Sequence, residues 1–290
     1  MKIIFNLTLI FLLLAVAPAW AAKVDTLEIK SAAMGKTLRA GVVVPQSYKK
    51  GKSAYPVLYL LHGYSGNFRD WLTKTPDKQL LHHLADKYET IIVTPDGGFS
   101  SWYLDSPLDK ETQFETFITR ELVEKVESGY RTLKTREGRF ISGLSMGGHG
   151  ALYLSGRHPN LYSAAGSMSG ALDISGMDNK NLNESLEKLL GPKSENLAKF
   201  QSHSVVYMAD TFKTNNVKLI IDCGVDDFLI ESNRELHRRL VYNKTPHEYL
   251  ERPGAHTWPY WGYALEYHLL FFQKVKQGNS PIPATAAKNN

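Results

Sequence analysis

The stretch RFISGLSMGGHGALYLS, residues 139–155, decides how this chain is to be read. Arg139 to Ser142 has the pattern of a short strand, and a helix-like run begins after Ser145. Ser145 therefore stands on a strand-to-helix turn, inside Gly143-Leu144-Ser145-Met146-Gly147. A turn this tight strains the backbone at the serine and leaves room only for tiny neighbours two residues to either side. Gly143 and Gly147 meet that demand. The turn lifts the hydroxyl clear of the sheet and aims the Met146 N–H where an oxyanion would form. The helix N-terminus adds a field that favours negative charge. Ser145 is the expected nucleophile and Met146 an expected oxyanion donor.

A serine hydroxyl is a poor nucleophile without a base to take its proton. Chains with this elbow carry an acid and then a histidine downstream, each just after a late strand. Val217 to Ile221 (VKLII) is such a strand, followed by Asp222-Cys223-Gly224-Val225-Asp226-Asp227-Phe228. His247 to Arg252 reads as the next strand, followed by Pro253-Gly254-Ala255-His256-Thr257-Trp258, so His256 is the expected base. Asp226, and Asp227 in the stretch Gly224-x-x-Asp227, compete as the acid. The loop after an early strand should supply another oxyanion donor. Leu60-Leu61-His62-Gly63-Tyr64 is that loop, and the Tyr64 N–H is the expected donor. No HExxH or similar spacing is present, and the one cysteine offers neither a disulfide nor a metal cluster, so neither metal nor cofactor is expected.

On either side of this stretch, strand and helix patterns alternate. Val24–Ser31 and Leu38–Val44 read as strands joined by a turn at Met34-Gly35-Lys36. Pro56–Leu61 and Thr90–Thr94 are continuous apolar runs, as strands covered on both faces require. Pro76–Tyr88, Thr112–Val126, Glu231–Tyr242 and Tyr260–Val275 carry helical periodicity. The alternation predicts an α/β fold: a mostly parallel central sheet with helices on both faces. Residues 172–212 fall outside it and read as a small helical insertion. Residues 276–290 have one large apolar residue, Ile282, and read as a flexible tail.

Aromatics make up 11% of the 290 residues, and glycine and proline are ordinary in number, which excludes a collagen-like or wholly disordered chain. The net charge of +5 comes from 34 basic and 29 acidic residues interspersed along the chain, a solvated surface rather than a nucleic-acid footprint. Residues 1–22 open with Lys2, run apolar from Ile3 to Val16 and close on Ala19-Trp20-Ala21. Those are the parts of a secretory signal peptide. The expected mature unit is a single domain over residues 23–275, exported to the periplasm or medium, with no stable membrane insertion.

Together LLHGYSGN, TPDGGFSSWYLDSP, GLSMGGHGAL, DCGVDDFL and PGAHTWPYW resemble the esterase D-type family of α/β-hydrolases, most closely its tributyrin and feruloyl esterase branch. The resemblance runs from about Leu38 to Gln273. It implies the α/β-hydrolase fold, a serine carboxylesterase activity, Ser145 as nucleophile, Asp227 as acid, His256 as base, and oxyanion donors at Tyr64 and Met146. Trp102 and Tyr103 resemble a stretch that lies near the site in that branch. With Trp258 they are the expected lining of an acyl or aromatic pocket. The implied substrates are small-molecule or polysaccharide-linked acetyl, feruloyl or short-chain acyl esters. An S-formylglutathione hydrolase-like thioesterase, an acyltransferase with the same triad, and an inactive carbohydrate-binding scaffold are the competing expectations.

Overall fold

Strand residues in the middle of this chain are apolar at consecutive positions, so they must be covered on both sides. A computed structural model, which describes residues 24–278, has them so. The expected leader (1–22) and residues 279–290 of the expected tail lie outside the described residues. In chain order the strands are β1 (Asp25–Ser31), β2 (Lys36–Val43), β3 (Val57–Leu61), β4 (Ile91–Pro95), β5 (Arg139–Leu144), β6 (Ala164–Met168), β7 (Lys218–Gly224) and β8 (His247–Arg252). They form one sheet in the order β1-β2-β4-β3-β5-β6-β7-β8. β1–β2 and β2–β4 pair antiparallel, and every other pair is parallel.

The helices are α1 (Asp70–Thr73), α2 (Leu80–Tyr88), α3 (Phe114–Thr116), α4 (Leu122–Gly129), α5 (Met146–Arg157), α6 (Lys180–Leu190), α7 (Lys193–His203), α8 (Ala209–Asn215), α9 (Ile230–Tyr242) and α10 (Trp258–Lys276). A π-helical stretch, Phe117–Glu121, joins α3 to α4 where the sequence predicts one regular helix. Alternating side chains on β3 divide the core. Val57, Tyr59 and Leu61 face Leu122, Leu152 and Leu236 of α4, α5 and α9. Leu58 and Leu60 face Trp71, Leu84 and Leu265 of α1, α2 and α10. Helices α6, α7 and α8 occupy the chain between β6 and β7 and bury Leu186, Phe200 and Phe212 in the first of these cores.

β6 has no counterpart among the strands legible in the sequence. Its residues, AAGSM, are too small and too polar to stand out, yet all five are buried. A Cβ on Gly166 would lie 2.3 Å from His268 Nδ1. One on Gly148 of α5 would lie 2.7 Å from Ser167 Oγ. Close packing on both faces selects small residues there, and small residues hide the strand pattern.

The chain runs from β3 outward to β4 and then returns to β5 on β3's other side. The carboxyl ends of β3 and β5 thus form a topological switch point, where α/β sheets open a crevice. The Tyr64 loop and Ser145 both emerge there.

Candidate active site

Ser145 follows the last residue of β5 and precedes the first of α5, with φ 55° and ψ −117°. A Cβ on Gly143 would meet the Gly147 carbonyl oxygen at 2.4 Å, and one on Gly147 the His62 carbonyl oxygen at 2.5 Å. Both glycines are therefore steric necessities of the turn. The serine's backbone is held by its N–H donating to the Met168 carbonyl (2.9 Å) and its carbonyl accepting from His149 N–H (3.0 Å).

Three side chains distant in sequence meet at this turn. The Ser145 hydroxyl lies 3.0 Å from His256 Nε2. His256 Nδ1 lies 2.9 Å and 3.1 Å from the two carboxylate oxygens of Asp227. A carboxylate only accepts, so Nδ1 carries the proton and Nε2 is left to accept from the serine. Burial works against the charge on Asp227. Hydrogen bonds from His256, the Leu229 N–H and Ser169 outweigh that and hold its carboxyl below the usual range. Asp226, by contrast, is exposed and forms no hydrogen bond or ion pair with His256. The glycine of Gly224-x-x-Asp227 also has a visible purpose. A Cβ there would sit 2.3 Å from the Gly254 carbonyl, so its absence lets the loops bearing Asp227 and His256 pack together.

Met146 N–H is at the first turn of α5, and Tyr64 N–H lies in the loop after β3. Among the described residues neither donates to a protein acceptor. A Cβ on Gly63 would lie 3.5 Å from Ser145 Cβ, which measures how closely that loop approaches the serine. His62, which the sequence reading passed over, sets the loop's orientation. Its Nδ1–H donates to the Gly63 carbonyl (2.8 Å), and its Nε2 accepts from Gly97 N–H (2.8 Å). The Gly63 carbonyl and the Tyr64 N–H belong to one peptide plane and point oppositely. Holding the carbonyl at His62 therefore aims the N–H away from it. Burial pushes the imidazole pKa down, keeping the neutral form that can both donate and accept. The available signal was its position immediately before Gly63.

The aromatic lining needs correction. Trp102 and Tyr103 are 1% and 0% exposed and so present no open wall to a ligand. Trp102 donates to Ser185 of α6, and Tyr103 to the His62 carbonyl (2.9 Å); both brace the site from beneath. Trp258 is half-buried, edge-on to Trp71 and to Trp261. Trp261, not Trp258, is the tryptophan edge-on to the His256 ring, at 4.8 Å. The aromatics exposed beside the site are Phe99 and Phe228. Phe99 packs on Tyr64 at 5.3 Å and Phe228 on His256 at 4.6 Å. Single apolar residues in loops carry no periodicity, so nothing in the sequence marked these two. The lone Cys223 is buried in β7. Among the described residues no group of three or more metal-ligating side chains gathers, and no helix is long and apolar enough to cross a membrane.

Comparison with known proteins matches residues 31–272 to the family described as "Putative esterase". An acetyl esterase of Caldicellulosiruptor saccharolyticus is 32% identical over 219 residues, covering 70% of this chain and 78% of that protein. An esterase of Mycobacterium tuberculosis is 27% identical over 252 residues, covering 79% of this chain and 55% of that longer protein. A diacylglycerol acyltransferase/mycolyltransferase of Mycobacterium leprae is 26% identical over 282 residues, covering 83% of this chain and 81% of that one. Among solved structures, a ferulic acid esterase superposes with TM-score 0.74 at 29% identity, covering 87% of this chain and 98% of its own. An S-formylglutathione hydrolase of Staphylococcus aureus shares the fold at TM-score 0.74 and 21% identity.

Proposed function

Because the chain belongs to the "Putative esterase" family of α/β-hydrolases and is a carboxylic ester hydrolase, we propose that it is an exported serine esterase that cleaves acetyl, feruloyl or other short-chain acyl esters, including those carried on plant polysaccharide. The observation that carries the mechanism is the hydrogen-bonded line from Ser145 through His256 to Asp227.

In the proposed cycle the Ser145 oxygen attacks the ester carbonyl while His256 Nε2 takes the hydroxyl proton. Asp227 holds the imidazole tautomer and stabilises the imidazolium. The Tyr64 and Met146 N–H groups receive the negative charge on the carbonyl oxygen as the tetrahedral intermediate forms. His256 then returns the proton to the alcohol oxygen as the carbon–oxygen bond breaks, leaving an acyl-Ser145. Water, deprotonated by His256, attacks that ester; the acid departs and Ser145 regains its proton. No step requires a metal or cofactor.

An acyltransferase with the same residues is the second reading, favoured by the mycolyltransferase relative. Hydrolysis is preferred because Ser145 and His256 are both half-buried rather than sealed, which leaves water a route to the acyl-enzyme. Ser145→Ala should lower hydrolysis of p-nitrophenyl acetate by at least ~10³-fold with the fold intact by circular dichroism. It should also abolish labelling by a fluorophosphonate probe. Wild-type turnover in the variant would refute the role of Ser145. Rates on methyl ferulate and acetylated xylan rank the acyl groups, and cell fractionation tests export.

A further inference from the structure

Phe228 is 64% exposed, an unusual position for a large apolar ring that lies against a candidate catalytic base. It borders a cavity of ≈ 520 Å³ between the loop that follows β6 and the start of α9. Met177 and Phe228 supply its apolar wall, and Asp173, Asp178, Glu231 and Glu235 its polar one. Among the described residues, no lysine, arginine or histidine lines it. From outside the lining Arg234 pairs with Glu231 (2.8 Å), Arg238 and Arg239 pair with Glu235 (2.9 and 2.7 Å), and Lys193 Nζ donates to the Met177 carbonyl (3.2 Å). Asp173 is engaged only by local groups, Ser175 and the Gly176 N–H. Asp178 is exposed and accepts no hydrogen bond within the described residues. Asp173 and Asp178 therefore keep their negative charge without a basic partner among the described residues.

We propose that this cavity is the subsite for the leaving alcohol, that Phe228 is its specificity-determining residue for a sugar-like polyol over a small alcohol, and that the carboxylates beside it disfavour an anionic alcohol. The inference rests on the esterase reading above and adds the side of the site on which the alcohol lies. The imidazole must reach the leaving oxygen to protonate it. Whatever part of the ester lies on the His256 side is consequently the alcohol part. Phe228 is the exposed surface on that side, while Phe99, against Tyr64, is exposed on the oxyanion side. A sugar ring presents C–H groups that stack on an aromatic face and hydroxyls that donate to carboxylates. A carboxylate-bearing alcohol meets like charge instead.

Three acetate esters test this: ethyl acetate, whose alcohol is too small to fill the cavity, acetylated methyl glucoside, and acetylated methyl glucuronoside, which adds one carboxylate. Wild-type kcat/KM should favour the glucoside over the glucuronoside by about tenfold. Phe228→Leu should lower the glucoside-to-ethyl ratio by about tenfold, and Phe228→Tyr, which keeps the ring, should preserve it. Asp178→Asn should narrow the glucoside–glucuronoside gap by about twofold or more. An active wild type that treats both sugars alike, or a Phe228→Leu enzyme with an unchanged ratio, overturns the assignment. Should Phe228→Leu fail to fold, the wild-type discrimination and Asp178→Asn decide alone. A wild type inert on all three esters would refute the esterase reading itself and the subsite with it.

Discussion

At Ser145 the backbone sits where few side chains do, at φ 55°, a conformation whose cost is on the order of 1–3 kcal/mol. It persists because Gly143 and Gly147 permit it and the Met168 carbonyl anchors it. The two neighbouring aspartates differ as sharply in setting as they resemble each other in sequence. Asp227 is buried against His256, whereas Asp226 faces solvent. Asp227→Asn should therefore lower kcat on the order of 10³–10⁴-fold, while Asp226→Asn stays within about twofold. Steady-state kinetics on one substrate checks the ranking, and the reverse order would reassign the acid. His62 makes its contribution through the Gly63 peptide. His62→Leu should lower kcat by about 10–100-fold with KM nearly unchanged, because an oxyanion donor acts only as charge develops. A rise in KM at constant kcat would instead mark His62 as a ground-state binding residue.

At the scale of elements, α5 and β6 show how packing overrides local pattern. The helix is buried from Met146 to Gly156, all but its last residue, and the strand beside it can tolerate only small side chains. Gly166→Ala would drive a methyl to within 2.3 Å of His268, a buried ring already hydrogen-bonded to Ser142. The expected loss of stability is about 1–3 kcal/mol, read from urea denaturation midpoints. An unchanged midpoint would mean that α10 yields locally. The bounds of β3, β4 and β8 are legible to within a residue because each strand is an apolar run or is bracketed by turn residues, whereas β7 runs on three residues past the expected end at Ile221, to Gly224. The bounds of α3 and α4 are not, because the π-helical stretch between them keeps the apolar spacing while changing the hydrogen bonding.

For the whole molecule, two fully buried histidines tie stability to pH. Burial lowers His149 to about 4 and His268 to about 3 from an ordinary 6.5. A base whose folded-state pKa is depressed binds its proton more readily when unfolded. Its stabilising contribution is therefore complete above about pH 6.5 and lost as pH falls toward the folded value. Over its window His149 corresponds to at most roughly 3 kcal/mol and His268 to at most roughly 5 kcal/mol. The melting temperature should fall steadily from pH 7 to pH 4.5, and His268→Gln should flatten part of that slope. Identical slopes in the two proteins would show that other groups govern the acid limb.

The α/β alternation, the strand-to-helix serine, and the order of acid and base after it were determined by the sequence alone. Periodicity and the demand for glycine around a strained turn are local properties, and local properties are written in adjacent residues. Which aspartate meets His256, how His62 aims a peptide, and that Phe99 and Phe228 rather than Trp102 and Tyr103 face outward were decided only in the tertiary structure. Each depends on where a side chain points after loops more than 25 residues apart have packed together. Burial, unlike periodicity, is a property of the assembled sheet and both of its helical layers.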